Sequence, residues 1–210
     1  MKEHFLPSIR LFLALTVLLG LGYPALVWGF GRLAFRDAAD GSLLRKGEAT
    51  VGSLLIGQSF SMPGHFHGRP SGAGEHGYDP MASGGTNLGP TSKKLADAVR
   101  DAVAVVRQEN PESSGPVPAD AVTSSASGVD PHISPAYARL QIPRVARETG
   151  IPAGELEALV ARVAQGRFLG LYGEPRVNVL SLNLEIDTRL GRPQIAPTPT
   201  ATPATSPAAR

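Results

Sequence analysis

Residues 11–30 form a run of twenty amino acids that contains no charged side chain. At 1.5 Å per residue, a helix of this length reaches about 30 Å, which matches the hydrocarbon core of a bilayer. The sequence therefore predicts a single transmembrane helix over residues 11–31, preceded by a short N-terminal tail of residues 1–10.

A cleavable secretory signal is the alternative for this segment, because Lys2 and Arg10 give it a basic start. The apolar part of such a signal usually has about 7–15 residues and ends at a cleavage site between small residues. Here the apolar run continues through Pro24 and Trp28 to Arg32, which favours an uncleaved anchor. We expect Pro24 to bend the helix and Trp28 to lie at the level of the lipid headgroups.

The distribution of charge does not decide on which side of the membrane the residues after the anchor lie. Basic residues precede the span, and others follow it at Arg32, Arg36, Arg45 and Lys46. Counted simply, they favour a cytoplasmic C-terminus, but long following domains cross membranes largely regardless of charge. The chain has no cysteine, which is compatible with either compartment.

The remainder of the chain is long enough for one domain with its own core. We predict a single α+β globular domain over residues 32–190, with long Gly/Pro-rich loops, and a disordered tail rich in Pro, Thr and Ala over residues 191–210. The formal net charge is only +2, and no basic run with interleaved aromatic residues occurs. These features give no indication of nucleic-acid binding.

Hydrophobic periodicity and capping residues predict the elements of this domain. Pro143 is expected to kink or split the second of its helices, and Gly150 to end it. The predicted elements are a buried strand at 51–56, an irregular loop at 61–90, a helix capped by Ser92 and running to Gln108 with Leu95, Val99, Val103 and Val106 inward, a loop at 111–131, a helix from Ser134-Pro135 to Glu148, a helix at 152–165, and a strand at 180–186.

One loop matches the dinucleotide-binding pattern G-x-G-x-x-G at residues 72–77. That pattern works only between a strand and a helix N-terminus, because the helix end holds the pyrophosphate. Here Pro70 precedes it and Pro80 follows it, so we reject the assignment. The chain also has neither a P-loop lysine motif nor a G-x-S-x-G elbow, and the sequence identifies no nucleophile.

Two loops carry residues that could take part in chemistry. His65, His67 and His76 lie near Glu75 and Asp79, but this spacing matches no established metal site, so we do not assign a metal. Asp130 and His132 near Ser127 are the ingredients of nucleophilic catalysis. In loops rich in Ser and Pro such residues more often cap turns and helices, which we expect here.

Several loop segments resemble the C subunit of the Kdp-type potassium-transporting P-type ATPase, in the order found in that family. Two departures from its pattern, Thr86 and Val129, are mild. The segments that carry the resemblance are Gly41-Ser42, VGSLLIGQSF at 51–60, FHGRPS at 66–71, ASGGTNLGP at 82–90, SGVDPHISP at 127–135, RVA at 144–146 and RVNVLSLNL at 176–184.

This resemblance implies an accessory, non-catalytic subunit of a high-affinity potassium uptake complex in the cell membrane. Its partners would be a channel-like potassium-binding subunit, a P-type ATP-hydrolysing subunit and a small helical subunit. The family is described as assisting assembly and as a catalytic chaperone that raises the ATP affinity of the pump subunit. No cofactor is implied for this chain alone, and ATP would be shared with the pump subunit in a ternary complex.

The resemblance also implies an extracytoplasmic globular domain, whereas direct help with ATP binding requires a cytoplasmic one. An extracytoplasmic domain could instead cap the face through which potassium enters the channel-like subunit. Binding residues often lie on loops held by a rigid scaffold. The candidates for binding a partner or for structuring the loops are therefore Arg69, Ser71, Asn87, Asp130, His132 and Asn178.

Two readings of other classes remain open. A membrane-anchored envelope enzyme would use the His and Asp loops, and its isolated domain would be active. A free-standing envelope protein would use the Pro/Thr/Ala tail as a tether and would be monomeric after extraction in mild detergent.

Overall fold

The computed structural model describes residues 2–46 and 49–192 of the chain. They belong to two compact units, Met1–Leu43 and Leu44–Arg210. The tail predicted at 191–210 lies almost wholly outside the described residues. Within the described part, one helix is long and apolar enough to cross a membrane, His4–Ala34, and its side chains are exposed. The predicted apolar span lies inside it.

Helix α1 (Lys2–Val17) continues into α2 (Tyr23–Ala34) through one π-helical turn, Leu18–Gly22. Pro24, in the first turn of α2, lacks a backbone N–H, and its ring crowds the carbonyl of the preceding turn. The π turn widens the helix at this point, and Tyr23 N–H reaches back to the carbonyl of Leu18. The helix therefore runs on through Pro24, and a four-residue helix α3 (Arg36–Ala39) follows.

The globular unit begins with a two-stranded sheet of β1 (Leu43–Lys46) and β2 (Ala49–Ser53). The prediction of a buried strand over 51–56 was wrong in extent and burial. The chain turns after Ser53, and Leu55 and Ile56 are 60% and 39% exposed. β-branched and aliphatic composition indicates a strand, but it does not show whether another layer covers it.

The predicted irregular loop is confirmed. Between β2 and the next helix the chain forms only one short 3₁₀ turn, Pro80–Ala82. Helix α4 (Lys93–Glu109) then starts where its cap predicts, with Leu95 N–H donating to Ser92 Oγ. Of its predicted inward face only Val106 is buried, and the other three residues are half-buried.

The two predicted helices are confirmed as α5 (Pro135–Thr149) and α6 (Ala153–Val163), and they pack against each other. Ser134 caps α5, and Gly150 ends it in the left-handed conformation at φ 74°. Pro143 does not split α5. Arg139, whose carbonyl loses its partner at Pro143, lies on the exposed side of the helix, where water can satisfy it.

The predicted strand at 180–186 was wrong, because this segment is helix α7 (Val179–Arg189). Asn178 caps it, accepting the N–H of Ser181 at 3.0 Å. Leu182 and Ile186 fit a helical period as well as an alternating one. The predicted strand would expose Asn183 to water. In the helix Asn183 faces the core and is 1% exposed.

Strands β3 (His132–Ile133) and β4 (Val177–Asn178) pair antiparallel, with His132 opposite Asn178. The membrane helix followed by a mixed unit confirms the predicted α+β class. Helices α5, α6 and α7 and the β3–β4 pair surround one core, whose buried hydrophobic residues are Phe66, Val106, Ala121, Ile133, Tyr137, Ala138, Ile142, Val145, Ile151, Leu156, Leu159, Val160, Val177, Val179, Leu182 and Ile186.

Two buried amide side chains hold the long loop against this core. Asn183 accepts the N–H of Phe66 at 2.8 Å and donates to its carbonyl at 2.9 Å. Gln141 likewise accepts the N–H of His67 at 2.7 Å and donates to its carbonyl at 3.1 Å. Each amide therefore pairs with the loop backbone as a neighbouring strand would, and it satisfies groups that would otherwise be buried without partners.

Arg144 and Asp187 complete this arrangement, which we call the polar clamp (Gln141, Arg144, Asn183 and Asp187). Arg144 donates to the carbonyls of Pro63 and His65 and, at 2.7 Å, to Gln141 Oε1. Asp187 lies 2.9 Å from His65 Nε2, and both side chains are only 3% exposed. Among the described residues, no buried side-chain N or O atom lacks a hydrogen-bond partner.

Replacing Asn183 tests how much the clamp contributes to stability. Asn183→Ala leaves the N–H and the carbonyl of Phe66 buried without partners, so the free energy of unfolding should fall by about 2–4 kcal/mol. Urea unfolding of the full chain in detergent measures this.

Glu185→Ala on the same helix is the matched control. Glu185 is exposed and loses only a surface ion pair with Arg162, so the change should stay below about 1 kcal/mol. Equal losses in the two variants would contradict a stabilising role of the clamp.

Candidate functional site

Arg69 links three loop segments. Its Nε and Nη2 donate to the carbonyl of Thr123 at 3.3 and 3.4 Å, and Nη2 also reaches the carbonyl of Ser124 at 3.3 Å. Its Nη1 lies 3.4 Å from Asp130 Oδ2. The planar fork of the guanidinium therefore joins the first long loop to two parts of the second, its middle and its C-terminal end.

Ser71 closes the first loop on itself and on the second. Its hydroxyl donates to the carbonyl of Gly128 at 2.5 Å and accepts the N–H groups of Ala73 and Tyr78, at 3.2 and 2.7 Å. The Tyr78 hydroxyl donates to the carbonyl of Arg69 at 2.7 Å. Burial, and then the charge of Asp130, raises the pKa of Tyr78 to about 12, so the phenol keeps its proton and remains a donor.

The two loops approach closely at Gly128, which has φ 70°. A Cβ there would lie 2.7 Å from both the N of Ala73 and the carbonyl oxygen of Gly84, closer than any side chain allows. Gly57 N–H donates to the carbonyl of Val129 at 2.7 Å, which adds a third segment. Only glycine fits both the left-handed backbone and the contact at Gly128.

Asp130 organises the turn before β3. Its Oδ1 accepts the N–H of His132 at 3.0 Å and lies 3.3 Å from His132 Nδ1. Burial raises the pKa of this carboxyl, but the hydrogen bonds from His132 and the charges of His132 and Arg69 outweigh burial and lower the pKa overall. Asp130 is therefore held as an anion that anchors the turn.

The arrangement does not favour nucleophilic catalysis. Ser127 Oγ lies 3.3 Å from Ser125 Oγ and accepts the N–H of Val129 at 3.3 Å. In the part of the chain that the structure describes, no hydrogen bond joins Ser127 to His132. The predicted use of these residues in turns agrees with this geometry.

Asn178 is joined to the same region, since it pairs with His132 across the β3–β4 register and donates to the carbonyl of Leu54 at 2.9 Å. Five of the predicted candidates, Arg69, Ser71, Asp130, His132 and Asn178, thus belong to one connected set, which we call the loop cluster. Asn87 does not join it through a hydrogen bond among the described residues. It is exposed and adopts the left-handed conformation at φ 52°.

The histidines of the first loop are used separately. His65 contacts Asp187, whereas His67 Nδ1 lies 3.2 Å from Glu109 Oε2 on α4, and His76 is exposed. Within residues 2–46 and 49–192 no group of three or more His, Cys, Asp or Glu side chains is arranged to hold a metal ion.

Two open clefts adjoin the loop cluster. The first, of 510 Å³, lies between the first loop and α4 and is lined by residues that include Arg69, Glu75, Val105 and Glu109. The second, of 620 Å³, lies beside the second loop and includes Asp130 and Arg176. Both clefts are lined by a mixture of charged, polar and apolar side chains.

Sequence reasoning missed the residues of the polar clamp, and His65 with them. Asn183 lies in a segment predicted as a strand, Gln141 was not singled out, and Arg144 was noted only within the RVA segment. A signal did exist, because Gln141 and Arg144 are three residues apart and Asn183 and Asp187 four apart, each pair on one helix face. Polar residues at such spacing within an apolar face indicate a buried polar contact.

Ser71 and Ser83 allow a matched test of the loop cluster. Both donate to carbonyls of the second loop, but Ser71 is half-buried and also accepts two N–H groups, whereas Ser83 is exposed and bonds to Ser127. Ser71→Ala should lower the free energy of unfolding by about 1–3 kcal/mol, and Ser83→Ala by less than about 1 kcal/mol. Thermal and urea unfolding measure the difference, and equal effects would show that the two loops are not joined through Ser71.

Comparison with known proteins gives one consistent result. The family model described as "K+-transporting ATPase, c chain" matches residues 5–188. The Potassium-transporting ATPase KdpC subunit of Koribacter versatilis is 49% identical over 188 residues, which cover 89% of this chain and 95% of the relative. The subunit of the same name from Sorangium cellulosum is 50% identical over 187 residues, 89% and 98% of the two chains.

The corresponding subunit of Myxococcus xanthus is 48% identical over 204 residues, which cover 97% of this chain and 94% of the relative. These matches include both the membrane helix and the globular unit, and they confirm the resemblance found in the loop motifs. The chain therefore belongs to the KdpC family, the c chain of the K+-transporting ATPase.

Proposed function

We propose that this chain is an accessory, non-catalytic subunit of an ATP-driven potassium uptake complex, needed for the assembly of its membrane subunits. The observation that carries the proposal is the family match over residues 5–188, since it covers the anchor and the loops together. The partners would be the channel-like subunit, the P-type ATP-hydrolysing subunit and the small helical subunit.

The chemistry of the loops supports a non-catalytic role. Ser71 and Arg69 donate to backbone carbonyls of the opposite loop, and Asp130 accepts a hydrogen bond from Arg69. A nucleophile or general base needs a free approach to substrate, whereas these groups are occupied in holding the loops together. The sequence also lacks the DKTGT phosphorylation motif of P-type pumps.

We propose that the partner subunit docks over the 510 Å³ cleft. One wall belongs to the first loop, which the polar clamp and the loop cluster fix in place, and the other is the face of α4. Val105 on this wall is 52% exposed, which leaves apolar surface for a partner to cover. A fixed loop loses little conformational entropy on docking, so the bound complex is more stable.

We further propose that the globular unit is extracytoplasmic and caps the face through which potassium enters the channel-like subunit. The cleft suits a protein better than a nucleotide. Its Glu75 and Glu109 carboxylates would repel a triphosphate, and the Arg69 donors are already used by loop carbonyls and Asp130. The other role, raising the ATP affinity of the pump subunit, requires a cytoplasmic position.

Co-purification tests the docking proposal. With the full set of subunits co-expressed and this chain tagged, Val105→Lys should lower the recovery of the partners about tenfold, which corresponds to about 1.4 kcal/mol of binding free energy. Met81→Lys is the control, because Met81 is 93% exposed and does not line the cleft. Equal recovery with both variants, at unchanged thermal stability, would exclude the cleft as the docking surface.

A reporter on Arg210 that is active on only one side of the membrane tests the orientation in cells starved of potassium. We expect an extracytoplasmic signal, which would exclude direct contact with cytoplasmic ATP. A cytoplasmic signal would overturn the capping role and make the ATP-affinity role the leading function.

A further inference from the structure

Residues 165–176 form a short β-hairpin that follows α6. Gln165 and Arg176 exchange backbone hydrogen bonds of 2.8 and 3.0 Å, and Phe168 and Tyr172 exchange a second pair of the same lengths. A tight turn of three residues closes the hairpin between Phe168 and Tyr172. The backbone of this hairpin is therefore well defined, although the chain contacts no other strand there.

The tip of the hairpin is apolar and exposed. Phe168, Leu169, Leu171 and Tyr172 are 71%, 75%, 76% and 67% exposed. Side chains of this size amount to an exposed apolar area on the order of 600 Å². The largest apolar patch of a typical soluble monomer is about 300–600 Å² and is often functional. In the described part of the globular unit, no other five-residue stretch exposes four large hydrophobic side chains.

The turn has a leucine at a left-handed backbone position that glycine adopts more easily. Leu169 has φ 52°, beside Gly170 at φ 72°, and a leucine in the left-handed region is disfavoured by contacts of its Cβ. Burial of the side chain does not offset this cost, since three quarters of Leu169 is exposed. This residue therefore does not stabilise the isolated fold, and a contact outside the chain accounts for it better.

A bilayer fits this tip better than a protein does. A stable protein interface buries about 800 Å² on each partner, more than the tip offers. Aromatic and leucine side chains are also those that insert at the membrane interface. The base of the hairpin is nearly neutral, because Arg167 pairs with Glu174 at 2.9 Å and Arg176 adds one positive charge, so anionic lipid is not required.

The transmembrane helix keeps the globular unit close to a bilayer. The link from the end of α2 to the globular unit, residues 35–43, extends at most about 30 Å even when straight. Tethering of this kind raises the local concentration of lipid around the globular unit and makes a small insertion effective. Because the span itself supplies the membrane, this reasoning holds for either orientation of the anchor.

We propose that the hairpin tip, Phe168 to Tyr172, is a second membrane contact that inserts its apolar side chains into the lipid surface. This proposal does not depend on the identity of the partner subunits.

Fluorescence of single-tryptophan variants of the full chain tests it. Trp28 is the sole tryptophan, so Trp28→Phe gives a silent background. Phe168→Trp is introduced at the tip and Met81→Trp, at an exposed loop residue, is the control. Both variants are reconstituted through their transmembrane helix in phosphatidylcholine vesicles, with and without bromine on the acyl chains.

The expected result is a blue-shifted emission and strong quenching by brominated lipid for Phe168→Trp, with neither change for Met81→Trp. Adding Leu171→Asp to the Phe168→Trp variant should abolish the quenching without lowering its thermal stability, because Leu171 is exposed. Absence of quenching in Phe168→Trp would overturn the proposal. So would quenching that disappears when the other subunits are co-assembled, since the tip would then be covered by protein.

Discussion

The pairing of two side-chain amides with the backbone of residues 66 and 67 is the contact on which the rest of the globular unit depends. Apart from one 3₁₀ turn, the described first loop has no strand or helix of its own, yet Phe66 lies fully buried in the core. This burial is tolerated because Asn183 satisfies the main-chain groups of Phe66 and Gln141 satisfies those of His67. Once residues 63–67 are fixed, Arg69 and Ser71 a few positions later are placed to reach the second loop.

In the resulting architecture the helices provide the stable core and the loops provide much of the exposed surface. Helices α5, α6 and α7 supply most of the apolar core, and the loops pack on it with buried polar side chains that, in the described residues, all have hydrogen-bond partners. The surface proposed for docking is thus made mostly of loop, but this loop is held in place by the polar clamp and the loop cluster. This arrangement fits a subunit that contributes shape to a complex and leaves reactions to other chains.

Helices α4, α5 and α6 could be predicted because their signals are local, namely Ser92 and Ser134 at the caps, Pro135 in a first turn and Gly150 at an end. Helix α7 was misassigned because Leu180, Leu182 and Ile186 alternate as well as they follow a helical period. The motifs identified Arg69, Ser71 and Asp130 as residues that structure the loops or bind a partner. They did not predict which of these residues contact one another. The polar clamp could not be derived locally, since its partners lie 74 to 122 residues apart.

That separation has a consequence for the order of folding. Residues 63–67 leave the ribosome long before α5 and α7, the two helices that bind them. Contacts so distant in sequence form late, because the intervening chain must first be brought together at an entropic cost. The N-terminal helix can therefore enter the membrane while the first loop is still unstructured, and the loop acquires its shape only after α7 has been synthesised. A chain truncated before Asn183 would keep its anchor but would lack the contacts that shape the proposed docking surface.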